Sequence, residues 1–124
     1  MILGVRDFFY NVSDMTRACE FYGWLLGTPP AHSSDYFSIF AVPGGNFALH
    51  WSEGPAVPHI PRDDHGTSAG GTITFESDDI AADRKRLESR GVKILGEADA
   101  PWGHMLVFED PDGNVAKLMR PKAH

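Results

Sequence analysis

Two turns of like composition stand 68 positions apart, at Pro43-Gly44-Gly45-Asn46 and Pro111-Asp112-Gly113-Asn114. They limit the folds open to this 124-residue chain more than any other feature. In each, proline presets φ for a turn, and glycine can take the positive φ that a β-branched residue resists. Each follows one extended run and leads into another, so each reads as a hairpin. A helix pattern lies upstream of both. The first opens at Ser13-Asp14 and stops at Gly27; the second opens at Ser77-Asp78 and stops at Gly91. A strand pattern precedes each helix. Two tandem βαβββ units are the simplest account. Neither unit holds enough core to stand alone, so the two are expected to pack together or to exchange with a second chain.

Along the chain, residues 3–12 read as a strand, with Phe8, Phe9 and Tyr10 favouring extended structure. Met15, Ala18, Cys19, Tyr22, Leu25 and Leu26 form the apolar stripe of an amphipathic helix. Gly27 closes that helix, and Pro29-Pro30 forbid its continuation. Cys19 falls on the stripe and reads as core packing. Residues 36–42 and 47–51 are strands. Residues 53–66 carry three prolines and read as a linker or lid loop. A strand at 72–76 precedes the second helix, which carries Ile80, Arg84 and Leu87 on one side. A short strand at 92–95 and the final hairpin, 105–121, complete the chain. The expected organisation is one α+β domain, 1–124, with module one at 1–54, a linker at 55–67 and module two at 68–124.

Composition removes several function classes. The 17 acidic and 11 basic residues leave a net charge of −6. Nucleic acid needs a basic face, so it is excluded as a partner, and a cationic or neutral ligand is mildly favoured. No apolar run approaches the roughly 18–20 residues of a membrane span, and the N-terminal residues lack the pattern of a signal peptide. One cysteine allows no internal disulfide and suits the cytoplasm. The chain has no Walker loop, GxGxxG after a strand, or CxxC. Gly44-Gly45 and Gly70-Gly71 read as turn glycines rather than phosphate cradles.

The paired modules, the start NVSDMTRACEFYGWLLG and the late PWG with F-x-DPDGN together resemble the vicinal oxygen chelate superfamily. That group includes glyoxalase I, extradiol dioxygenases, fosfomycin-resistance enzymes and bleomycin-resistance proteins. The resemblance covers nearly the whole chain. It implies a curled mixed sheet per module, a cleft shared by the two sheets, and a homodimer.

The resemblance also implies four metal-ligand positions. They fall on Asp7, on one of residues 48–50 (His50 being the residue able to ligate), on Thr72 and on Lys117. Divalent metals want imidazole, carboxylate or thiolate donors. Asp7 and His50 qualify. Thr72 is a poor ligand, and the ammonium of Lys117 would repel the ion. Another donor group, His59, Asp63, Asp64 and His65, reads as a solvated loop. The expectation is therefore a small-molecule cleft without metal or other cofactor, sequestering an antibiotic or metabolite. Flat walls hold planar ligands by stacking, which makes Phe9, Phe40, Trp51 and Trp102 candidates. Asp7 and Lys117 are placed to orient a polar ligand. Asp7, His50 or His104 moving protons is the enzymatic alternative, beside a metal-dependent lyase, isomerase or dioxygenase.

Overall fold

A computed structural model describes residues 1, 3, 5–53 and 72–122. The expected linker and lid loop, its donors His59, Asp63, Asp64 and His65, and Gly70-Gly71 lie outside the described residues. The chain divides into two units, Met1–Pro61 and Arg62–His124.

The first unit runs β1 (Phe8–Val12), α1 (Met15–Leu26), β2 (His32–Ser33), β3 (Phe37–Val42) and β4 (Gly45–Trp51). Its sheet has the order β1-β4-β3-β2, with β1 parallel to β4 and the other pairs antiparallel. The Asp14 side chain accepts from Arg17 N at 3.0 Å, and Gly27 takes φ 69° to end the helix. Ala18, Phe21 and Tyr22 are the buried helical positions. The Tyr22 ring lies 4.6 Å from Phe47, which also meets Tyr10 and Phe40. This aromatic cluster between α1 and one face of the sheet is the unit's core.

The second unit repeats the order: β5 (Ile73–Glu76), α2 (Ile80–Ser89), β6 (Ile94–Ala100), β7 (Gly103–Glu109) and β8 (Val115–Pro121). Its sheet order is β5-β8-β7-β6, with β5 parallel to β8. Leu106, Phe108, Ala116 and Leu118 are buried on the face beneath α2, together with Leu87 of the helix. Both units are thus βαβββ, and the fold is α+β with two four-stranded mixed sheets.

Several expected boundaries move. The first strand begins at Phe8 rather than residue 3, because its ladder to β4 starts at Phe8↔Phe47. The α1 stripe gains Phe21, and Cys19 is only half-buried. The second helix is capped by Asp79, whose carboxylate accepts from Ala82 N at 3.0 Å, and not by the Ser77-Asp78 pair. Ser77 instead donates to Asp83 Oδ2 at 2.6 Å and receives Asp79 N at 3.1 Å. Strand β2 follows the double proline unannounced. Strand β6 runs to Ala100 rather than stopping at Leu95: its pairing with β7 continues past a register shift at Ile94/Gly96 into exposed polar positions with little apolar signal.

Candidate functional site

Alternation along the first sheet separates two faces. Tyr10, Ser38, Phe40, Phe47 and Leu49 are buried on the helix side. Phe9, Phe37, Ile39, Ala48 and His50 occupy the other face. The β3–β4 register sets Phe37 opposite His50, and the β1–β4 register sets Phe9 opposite Ala48. The His50 imidazole sits 4.2 Å from the Phe9 ring, tilted by 34°, and 4.7 Å from the Phe37 ring, nearly perpendicular to it. Three flat groups thereby meet on one sheet face.

Burial holds the His50 pKa below its usual 6.5, and the nearby Asp7 carboxylate pulls it partway back. The imidazole is therefore neutral at pH 7, able to donate at one nitrogen and accept at the other. Asp7 also faces Arg6 at 3.8 Å, but that guanidinium is largely exposed, so the pair contributes little.

The other expected residues distribute differently. Phe40 is fully buried and packs against Phe47, so it belongs to the core, and Phe37 takes the place expected for it on the face away from α1. The alternation of β3 contained that signal, but choosing the wrong phase exchanges the two faces. Trp51 lies on the helix side with Tyr36. In the second unit, Lys117 pairs with Thr74 on β5 and Val107 on β7, opposite to the face that packs α2. Thr72 is exposed and precedes β5. Trp102 is 56% exposed in the turn between β6 and β7.

His104 shares the helix-side face with Leu106 and Phe108, so it does not join Lys117 on one face. Its nitrogens lie 3.4 Å from Asp99 Oδ1 and 3.4 Å from Glu97 Oε2. Lys122 Nζ reaches Asp99 Oδ2 at 2.9 Å. The Lys122 hydrogen bond, then that of His104, lowers the Asp99 pKa. This is a solvated charge cluster at a sheet edge.

The superfamily's metal can be tested against the donors present. Lys117 offers an ammonium and Thr72 a neutral hydroxyl, neither of which suits a divalent ion. Among the described residues, no group of three or more His, Cys, Asp or Glu is placed to hold a metal ion. The residues do not fit the family's metal centre.

A model of the Glyoxalase/Bleomycin resistance protein/Dioxygenase superfamily matches residues 4–118 of the chain. With nearly its full length matched and both βαβββ units formed, the chain belongs to that superfamily. Among solved structures it is similar to TnmS3, an antibiotic binding protein from Streptomyces sp. CB03234. That match has 30% identity and a TM-score of 0.70, and covers 98% of each chain. It is also similar in fold to lactoylglutathione lyase from Agrobacterium tumefaciens, at 19% identity and TM-score 0.70, over 96% of this chain and 94% of that one. Over 48 residues it is 40% identical to YetH of Bacillus subtilis (strain 168), a match spanning 38% of this chain and 40% of YetH.

Proposed function

We propose that the protein binds a flat small molecule on the face of its first sheet that points away from α1 and sequesters it without chemical change. The observation that carries this reading is the meeting of Phe9, Phe37 and His50, with ring centroids 4.2 and 4.7 Å from the imidazole. Aromatic walls of this kind gain from stacking and ring-edge contacts beyond their buried area. The neutral imidazole adds one directed hydrogen bond. Similarity to an antibiotic binding protein over 98% of the chain supports an antibiotic-like ligand. No helix among the described residues is long and apolar enough to cross a membrane. The same reading carries a homodimer in the cytoplasm, which sedimentation and cell fractionation would check.

The test is a thermal-shift series with bleomycin, an anthraquinone and S-lactoylglutathione, followed by chromatography of the recovered compound. A ligand at 100 times its Kd stabilises the folded state by about 2.7 kcal/mol. The expected result is a shift with a planar compound, its loss in Phe9→Ala, and recovery of the compound unchanged. A converted compound would assign proton transfer to His50 and refute sequestration. Retention of the shift in both Phe9→Ala and His50→Ala would remove the site from this face.

A further inference from the structure

The other side of the first sheet holds an open cavity of about 730 Å³, within the range of small-molecule sites. Its walls come from the start of α1 (Asp14, Met15, Cys19), the segment before β3 (Asp35, Tyr36) and the end of β4 (Trp51). Because α1 residues line it, the cavity lies across the sheet from Phe9 and His50. We propose that it is a second binding site, selective for a flat organic cation: an aromatic ring system bearing a fixed positive charge.

Three observations lead there. First, the Tyr36 and Trp51 rings lie only 19° from parallel with centroids 5.7 Å apart, so aromatic surface is concentrated on one wall. Aromatic faces carry negative potential and attract cations. Second, the charged groups lining the cavity are the carboxylates of Asp14 and Asp35, and among the described residues no lysine, arginine or histidine lines it. Arg17 stands near its rim; its guanidinium donates to Ser13 Oγ at 3.2 Å. Third, the walls are fixed before any ligand arrives. Trp51 Nε1 donates to the Ser13 carbonyl at 3.2 Å, and Trp51 N donates to the Tyr36 carbonyl at 2.9 Å. Ser34 Oγ accepts from Phe37 N at 3.1 Å and holds the turn that presents Asp35 and Tyr36. Beneath them, Cys19 Sγ meets Ser38 Oγ at 3.2 Å, and Ser38 Oγ meets Ser33 Oγ at 2.8 Å. A preordered wall lowers the entropy lost on binding. Carboxylates near stacked rings repel anions and leave a neutral ring only the stacking energy, so charge decides selectivity.

The experiment is calorimetric titration of the full chain with N-methylquinolinium in low-salt buffer, beside naphthalene-2-sulfonate and neutral quinoline at pH 8. Saturable binding of the cation is expected, with weaker binding of quinoline and none of the sulfonate. Tyr36→Leu should weaken the cation about fivefold through lost cation–π attraction. Asp35→Asn should weaken it about threefold, less at high salt. Both residues are exposed, so neither change threatens the fold, and circular dichroism checks this. Phe9→Ala should leave the Tyr36-dependent part of the cation binding unaltered, which separates this site from the opposite face. Absent saturation, equal binding of cation and sulfonate, or sensitivity to Phe9→Ala without sensitivity to Tyr36→Leu would each overturn the assignment.

Discussion

Replacing Asp110 should cost more stability than any surface carboxylate, because one buried side chain organises the whole turn into β8. Asp110 Oδ1 accepts from Asp112 N at 2.9 Å and from Asn114 N at 2.8 Å, and Oδ2 accepts from Asn114 Nδ2 at 3.0 Å. Asp110 is 5% exposed and Asn114 1% exposed. In Asp110→Ala, water can reach the half-buried Asp112 more easily than Asn114. An orphaned buried donor costs about 1–3 kcal/mol, and hydrogen bonds to a charged acceptor contribute about 1.5–3 kcal/mol each without adding fully within one network. The backbone bonds Gly113 N to Asp110 O and Asp110 N to Asn114 O, both 2.9 Å, survive the change. The expected loss is therefore about 3 kcal/mol. Asp110→Asn keeps one oxygen for the two backbone donors and sets its new amide against Asn114 Nδ2, for a loss of about 1 kcal/mol. Urea unfolding reads both: with an m-value of about 1.5 kcal/mol/M, the alanine midpoint falls by about 2 M and the asparagine midpoint by under 1 M. An alanine variant within about 0.5 kcal/mol of the parent at unchanged m would refute the premise that this carboxylate holds the turn.

His50 should titrate below 6.5 by NMR, and Asp7→Asn should lower it further, since the Asp7 charge is what raises it against the larger effect of burial. The linkage sign follows: the unfolded chain binds this proton more tightly, so the His50 contribution is intact above about pH 6.5 and is lost as pH falls through the folded value. A His50→Phe variant should therefore show less acid destabilisation in that window, and a rise of the His50 pKa in Asp7→Asn would contradict the assignment. Gly103 faces Pro121 across the β7–β8 ladder, and a Cβ there would stand 2.8 Å from the Arg120 carbonyl and 3.2 Å from Met119 Cγ. Gly103→Ala should cost about 1–3 kcal/mol by denaturant unfolding, whereas Gly96→Ala, with nothing within 4 Å, should be neutral or slightly stabilising.

The sequence by itself determined the features that depend on neighbours within a few positions. Asp14 caps α1 three residues ahead, Gly27 ends it with a positive φ, and Gly113 takes φ 81° in the turn before β8. Because these signals recur in order, the two βαβββ units and their superfamily are legible in the residues alone. Tertiary structure decided which side of each strand meets the helix. Side chains alternate every second residue, so a choice wrong by one position exchanges the two faces. That is why Phe37, not Phe40, stands with His50, and why His104 and Lys117 part company. Strand β6 was hidden for a related reason: its residues Glu97 to Asp99 are exposed, and only pairing with β7 keeps them extended. The Tyr36–Trp51 wall was equally invisible, because its rings are 15 positions apart and meet only when β3 folds back on β4. Local hydrogen bonds write themselves into adjacent residues; sheet faces and cavities are set by pairing across the chain, which no single stretch contains.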